Sequence, residues 1–163
     1  MISISEISRA CCAASTETSE INFDNARKHR PDAAIQGVLV GPMAKKGIEI
    51  IVGTLTDKTF GPVIMVGLGG ITTELFRDVI YRPAPVSAAE ASAMLAALKA
   101  APLLNGFRGA ARADVAALSK LISEVSVLAA QHAEISEIEI NPVLVHPEGQ
   151  GVTIVDALVV GKK

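Results

Sequence analysis

Polar and apolar residues alternate most regularly in the stretch Glu137-Ile138-Glu139-Ile140-Asn141. A β-strand directs successive side chains to opposite faces of a sheet, so the three polar residues would share one face and the two isoleucines the other. One face of the predicted strand therefore carries oxygen-bearing side chains, and the other packs into a core.

A β-hairpin is predicted for the residues that follow. The apolar run 143–145 leads into the turn-rich string His-Pro-Glu-Gly-Gln-Gly at 146–151, and a second apolar run covers 152–160. If the turn is centred between positions 148 and 149, the residue numbers of facing pairs have a constant sum. Asn141 then lies opposite Asp156, and an acidic residue, an amide and a second carboxylate converge.

Oxygen ligands of this kind are those that magnesium prefers, usually one or two carboxylates with water and substrate phosphates in the remaining positions. Glu139, Asn141 and Asp156 are thus candidate ligands of a magnesium nucleotide. The alternative is structural: the glutamates form a solvated strand face, and Asp156 is a charge at the sheet edge. Period-two counting puts Asp156 on the same face as Val152 and Ile154, where an unpaired charge is costly, and this weighs against the alternative.

The rest of the chain predicts an α+β lobe with helices on one face of a largely antiparallel sheet. Residues 1–22 have no sustained period, and 23–30 favour a short helix that stops before a proline. Ser87 and Glu90 form a capping-box signature at a helix start. Apolar runs and helical spacing predict the remaining elements, with strands at 35–40, 47–56 and 62–66 and helices at 87–100 and 113–132.

Several single residues have two interpretations. Glu49 lies in a strongly apolar strand, so it is either buried with a partner or solvated at an edge. The glycines of Gly67-Leu68-Gly69-Gly70 either let backbone amides face an anion or form a plain turn, since their spacing matches neither a Walker loop nor a Rossmann fingerprint. Arg108, between glycines, either contacts a phosphate or forms a surface salt bridge. His132 and His146 are predicted to lie at the surface.

Composition narrows the class of partner. The 163 residues are half apolar, carry a formal charge of -2 and contain no Trp and one Tyr, which argues against a nucleic-acid or membrane-surface binder. No apolar run is long enough to span a bilayer, and Glu6 and Arg9 interrupt any secretory leader. Cys11 and Cys12 have no other cysteine to pair with, which favours a reduced, cytoplasmic setting. The expected partner is a small molecule or another protein.

Taken together, the motifs resemble the ATP-grasp domain of NDP-forming acyl-CoA synthetases, which are relatives of the succinyl-CoA synthetase β chain. This family makes acyl-CoA from a carboxylic acid, CoA and ATP through an acyl phosphate and a phosphohistidine, and releases ADP and phosphate. The motifs occur in the family's order over about residues 31–160: Pro31-Asp32-Ala33, Gly37-Val38-Leu39-Val40, Pro42-Met43, Gly47-Ile48-Glu49, Asp57, Phe60-Gly61-Pro62, Gly67-Leu68-Gly69-Gly70, Glu74, Gly106-Phe107-Arg108-Gly109, Asp114, Glu137-Ile138-Glu139-Ile140-Asn141-Pro142 and Asp156-Ala157.

The resemblance implies ATP or ADP and Mg²⁺ as ligands. It implies that Asn141 and Asp156 bind magnesium, with Glu139 close by. Two positions depart from the family pattern, because Gly41 stands where Gln is usual and Glu139 often appears as Asp. It implies a hinge beside the adenine at Val40, Gly41 and Met43. It implies an acidic residue near the ribose at Glu49, and glycines beside the phosphates at Gly69 and Gly70.

The resemblance also implies that the chain is the C-terminal part of an ATP-grasp domain, with a variable arm at 1–30 and an incomplete lobe at 31–163. The family's preceding lobe, its phosphohistidine segment and its CoA-binding and ligase domains have no counterpart here, so those domains or subunits are the expected partners and no catalytic residue is assigned. The expected function is the nucleotide- and magnesium-binding part of an ADP-forming acyl-CoA synthetase. The alternative is a non-catalytic remnant that acts as an interaction or regulatory module, with an exposed apolar face that promotes homo-oligomerisation.

Overall fold

The computed structural model describes Lys28 and residues 31–32, 43–69 and 78–162. The chain divides into two units, Met1–Met43 and Ala44–Lys163, and the architecture described below is that of the second. The predicted strand at 35–40, nearly all of the predicted helix at 23–30 and the candidate residues Val40, Gly41 and Gly70 lie outside the described residues.

The described strands form a six-stranded antiparallel sheet, and the described helices precede its last three strands in the chain. None of these helices is long and apolar enough to cross a membrane. The elements are β1 (Ile48–Asp57), β2 (Gly61–Leu68), β3 (Val79–Pro83), α1 (Ala88–Ala97), α2 (Ala101–Leu104), a 3₁₀ turn (Phe107–Gly109), α3 (Val115–Gln131), β4 (Ile135–Val145), β5 (Val152–Ile154) and β6 (Ala157–Gly161).

The predicted α+β architecture is confirmed, and the sheet adds two features to it. The strand order is β3-β2-β1-β4, and both β5 and β6 pair with the outer side of β4. Thus β4 lies between β1 on one side and β5 and β6 on the other. Strand β3 and helix α2 were not predicted. Helix α2 includes Pro102 in its first turn, where the missing N–H breaks no intrahelical bond.

Helices α1 and α3 lie on one face of the sheet and bury the hydrophobic core there. The predicted capping box is present, because the Ser87 hydroxyl accepts the Glu90 N–H at 3.2 Å while the Glu90 carboxylate accepts the Ser87 N–H at 2.7 Å. The sheet and helices contribute fully buried apolar side chains, which include Ile50, Val52, Ile64, Val66, Met94, Leu95, Leu118, Ile122 and Val143. None of the described helices of the second unit lies on the opposite side of the sheet, which we call the helix-free face.

A β-bulge interrupts β4 at the motif that the sequence singled out. Ile50 faces Val143 and Val52 faces Ile140, so two residues of β1 span the same length as three of β4. Because of the extra residue, even-numbered Ile140 and odd-numbered Val143 both point into the core. Pro142 lies within this bulge, where its lack of an N–H leaves no sheet hydrogen bond unmade.

Candidate functional site

The predicted register of the hairpin is confirmed. Val143 faces Ile154 and Val145 faces Val152 across β4 and β5, and Glu139 faces Leu158 across β4 and β6. The residue numbers in each pair have the same sum, which is the sum predicted for a turn centred between positions 148 and 149. The pairing carries across the break between β5 and β6, where the Asn141 N–H donates to the Asp156 carbonyl at 3.1 Å.

The register brings Glu139, Asn141 and Asp156 together at the bulge, and we call these three residues the oxygen-donor set. They line an open pocket with Ala157 and Leu158. The Asn141 amide Nδ2 donates to the Glu139 carboxylate at 3.3 Å, and one Asp156 carboxylate oxygen accepts the Ala157 N–H at 2.9 Å. Asn141 and Asp156 are exposed and Glu139 is half-buried, so all three are open to a ligand.

The chemistry of the oxygen-donor set fits a hard divalent cation. Its ligating atoms are oxygens of two carboxylates and one amide, and among the described residues neither carboxylate forms an ion pair with Lys or Arg. The described residues contain no group of three or more His, Cys, Asp and Glu that could hold a metal. A magnesium ion that brings its own water and phosphate oxygens needs no such group, whereas a closed zinc site would.

Glu49 and Gly69 meet at the end of the β1–β2 pair. The Gly69 N–H donates to the Glu49 carbonyl at 2.7 Å, and a Cβ at Gly69 would lie 2.9 Å from both the Glu49 carbonyl carbon and its Cβ. The glycine is therefore required by a close approach of two backbones. The Glu49 side chain is exposed, which answers the question left open by the sequence in favour of solvation. Since Glu139 faces Gly53, four residues along β1 from Glu49, both glutamates lie on the helix-free face.

Arg108 is not joined to the oxygen-donor set by any hydrogen bond or ion pair of the described residues. The Arg108 backbone has φ 54, between two glycines that also have positive φ, and its guanidinium lies 5.2 Å from the centre of the Phe107 ring. Its side chain is exposed, and the described residues give it no salt-bridge partner. Met43 is 97% exposed. Their roles as phosphate and adenine contacts stay predictions.

Sequence reasoning missed the contacts of Asp114 and placed His146 wrongly. Asp114 is 8% exposed, and its pKa is lowered by the backbone N–H of Ala117 and then by that of Gly151. His146 is 7% exposed rather than a surface residue, and its ring nitrogen Nε2 lies 2.8 Å from the Thr153 hydroxyl. An Asp directly before a helical apolar pattern is an N-cap signal, but nothing local in the sequence shows its second partner.

Comparison with known proteins identifies the fold that carries this site. The ATP-grasp domain family matches residues 13–160. The chain belongs to the ATP-grasp family. The resemblance noted from the motifs is thereby confirmed, and the observed α+β lobe agrees with it. The match includes part of the predicted N-terminal arm, and the boundary at residue 30 stays a prediction.

Several proteins similar to this chain are ADP-forming CoA ligases or their beta subunits. The beta subunit of acetate–CoA ligase (ADP-forming) II from Pyrococcus furiosus is 44% identical over 140 residues, which cover 85% of this chain and 59% of that subunit. The chain spans between about a fifth and three fifths of the length of the curated relatives that it matches.

Two solved structures of dinucleotide-forming acetyl-coenzyme A synthetase 1 from Candidatus Korarchaeum cryptofilum have the same fold. The complex with coenzyme A, Ca-AMPCP and HgCl⁺ has a TM-score of 0.82 and 38% identity over 90% of this chain and 63% of its own. The complex with coenzyme A and Mg-AMPPCP, in which a phosphohistidine segment points towards the nucleotide-binding site, has a TM-score of 0.70 and 40% identity over 74% of this chain and 55% of its own.

Proposed function

We propose that this chain is the nucleotide- and magnesium-binding part of an ADP-forming acyl-CoA synthetase, which makes acyl-CoA from a carboxylic acid, CoA and ATP. The observation that carries the proposal is the convergence of Glu139, Asn141 and Asp156 at the β4 bulge of an ATP-grasp lobe. The ADP-forming acetate–CoA ligase subunit and the Mg-AMPPCP complex among its relatives support the same ligands, ATP or ADP with Mg²⁺.

The residues of this chain would bind and orient the nucleotide rather than react with it. In this proposal, Asn141 and Asp156 hold the cation through their side-chain oxygens, and Glu139 contributes its carboxylate beside them. Glu49 faces the ribose, and the backbone at Gly69 lies close to the phosphates. Magnesium held there would offset the negative charge of the phosphates and the charge that develops as a phosphoryl group moves.

We further propose that other parts of the enzyme complete the site on the helix-free face. Tyr81 and Leu158 are 51% and 54% exposed and Leu55 is 43% exposed, so the face carries apolar surface beside the oxygen-donor set. About two fifths of the length of the curated relative from Pyrococcus furiosus lies outside the part that is matched here. We expect the additional lobe, and the CoA-binding and ligase domains or subunit, to cover this surface. We also propose a cytoplasmic location for the chain.

The alternative of a non-catalytic remnant is not favoured. Loss of the nucleotide function would leave no reason for exposed carboxylates to converge on an amide at a strand bulge. The ligating oxygens of the set are instead free of ion pairs with the described Lys and Arg residues.

Isothermal titration of ADP and of ATP into the purified chain, with and without Mg²⁺, tests the proposed function. We expect binding that depends on magnesium. Asn141→Ala and Asp156→Asn should abolish the magnesium-dependent part and leave the fold intact, because Asn141 pairs with Asp156 through backbone atoms. The Asn at position 156 also keeps an oxygen for the Ala157 N–H.

Glu137→Ala is the matched control, because Glu137 is an exposed carboxylate of the same strand that does not line the pocket of the oxygen-donor set. It should bind magnesium nucleotide as the unmodified chain does. Equal magnesium-dependent binding by all three variants would refute the assignment of the metal site. A folded wild-type chain that binds neither nucleotide in magnesium would refute a functional half-site.

A further inference from the structure

Asp114 uses both oxygens of its carboxylate to join two distant segments. One oxygen accepts the Ala117 N–H at 3.0 Å and begins helix α3 as its N-cap. The other accepts the Gly151 N–H at 2.8 Å, in the turn between β4 and β5. A helix cap needs only the first of these bonds. The second bond reaches 37 positions along the chain and is not explained by capping.

Backbone hydrogen bonds surround the same contact. The Asp114 N–H donates to the His146 carbonyl at 2.8 Å, and the Glu148 N–H donates to the Arg112 carbonyl at 2.8 Å. Within the turn, the His146 N–H donates to the Gly151 carbonyl at 3.1 Å. The hairpin turn is therefore held from outside by residues 112–114, with Asp114 as the side chain that contacts its far end.

The position of this turn decides where Asp156 lies. Strand β5 is only three residues long, from Val152 to Ile154, so on the turn side of Asp156 the register depends on three residue pairs with β4 and on the turn itself, while β6 continues the same register beyond Asp156. A slip of one residue would move every side chain of the strand to the other face of the sheet. Asp156 would then leave its place opposite Asn141, and the oxygen-donor set would come apart.

We propose that Asp114 is a positioning residue for the metal site, which holds the β4–β5 turn in the register that brings Asp156 to Asn141. The inference rests on the proposed function for its metal but not for its geometry. Asp114 does not line the pocket of the oxygen-donor set and acts on it only through the hairpin. Its carboxylate stays charged near neutral pH, because two backbone N–H donors lower its pKa.

Asp114→Asn separates the two bonds. The amide keeps one oxygen for the Ala117 N–H and replaces the second acceptor with an NH₂ group, which repels the Gly151 N–H. Asp57→Asn is the matched control, because Asp57 accepts the N–H groups of Thr59 and Phe60 with a single oxygen that an Asn also has. Both variants remove one carboxylate charge at a turn, and only one of them removes a necessary acceptor.

Magnesium-dependent ADP binding and amide hydrogen exchange are measured on the full chain. For Asp114→Asn we expect about tenfold weaker binding of ADP in Mg²⁺, as is usual when a residue that orients metal ligands is lost, with unchanged binding of ADP alone. The amides of Gly151 and Asn141 should exchange about tenfold faster, while that of Ala117 keeps its protection. Asp57→Asn should change none of these values.

Loss of protection at Gly151 with unchanged Asn141 exchange and unchanged magnesium affinity would overturn the inference. A wild-type chain without magnesium-dependent binding would instead contradict the proposed function. In that case the hydrogen exchange rate of the Asn141 amide tests the role of Asp114. Faster exchange in Asp114→Asn supports the role of Asp114 in the hairpin register, and an unchanged rate overturns that role.

Discussion

Gly69→Ala tests the close approach of β1 and β2 beside the proposed phosphate site. The new Cβ would lie 2.9 Å from the carbonyl carbon and the Cβ of Glu49 and 3.1 Å from its carbonyl oxygen. These atoms belong to, or are fixed by, the backbone, so the strands must separate by a few tenths of an ångström. The hydrogen bond from the Gly69 N–H, now 2.7 Å long, would lengthen.

The expected cost combines two opposing effects. Overpacking of a fixed structure destabilises by about 1–3 kcal/mol. Gly69 does not have a positive φ, so Ala also restricts the unfolded chain, which stabilises by about 0.4–1 kcal/mol. The net loss is roughly 1–2 kcal/mol, and for a chain of this size it lowers the Tm by about 2–8 °C.

Thermal and urea unfolding followed by circular dichroism measure this loss. Gly161→Ala is the control, because a Cβ at Gly161 would meet only the Glu134 carbonyl oxygen, at an ordinary 3.8 Å, and Gly161 also lacks a positive φ. The control should match the wild-type Tm or exceed it slightly. If Gly69→Ala is as stable as Gly161→Ala, the two backbones are not in the close contact described here.

Three further predictions concern the core and the pH dependence of stability. Ser126→Ala removes the only acceptor that the described residues give the buried Val86 N–H, now 2.9 Å from the hydroxyl, and should cost about 1–3 kcal/mol in urea unfolding. Ile122→Ala empties a fully buried position and should cost about 2–5 kcal/mol in the same assay. Stability should fall on acidification, because backbone N–H donors lower the pKa values of Asp57 and Asp114. A group with a depressed folded-state pKa contributes above its unfolded pKa, so this contribution is present at pH 7 and is lost as the pH falls below about 4, which Tm measurements between pH 7 and 3 will detect.

Each of these predictions has an outcome that would contradict it. Ser92→Ala, at an exposed position of α1, should leave the free energy of unfolding unchanged. If Ser126→Ala also leaves it unchanged, the buried hydroxyl is not needed. If Ile122→Ala lowers the free energy of unfolding by less than Leu103→Ala, at an exposed position, the assignment of Ile122 to the core is wrong. A Tm that is constant down to pH 3 would contradict the lowered pKa values.

Much of this protein was determined by local sequence patterns. Alternation and turn residues predicted the hairpin and its register, which puts Asn141 opposite Asp156, because a strand's period of two leaves few choices once the turn is placed. The capping box at Ser87 and the apolar stripe of α3 are likewise local. The motifs from residue 31 onward were sufficient to recognise the ATP-grasp family.

Only the tertiary structure decided how these elements meet. The β4 bulge at Pro142 depends on the pairing of β4 with β1, which lies about 90 residues earlier in the chain. His146 is buried because the hairpin packs against residues 112–114, and the bond from Asp114 to Gly151 exists only after that packing. Glu49 is exposed because the helices lie on the other face of its strand. Such contacts join residues far apart in the chain, so no local pattern of polar and apolar positions records them.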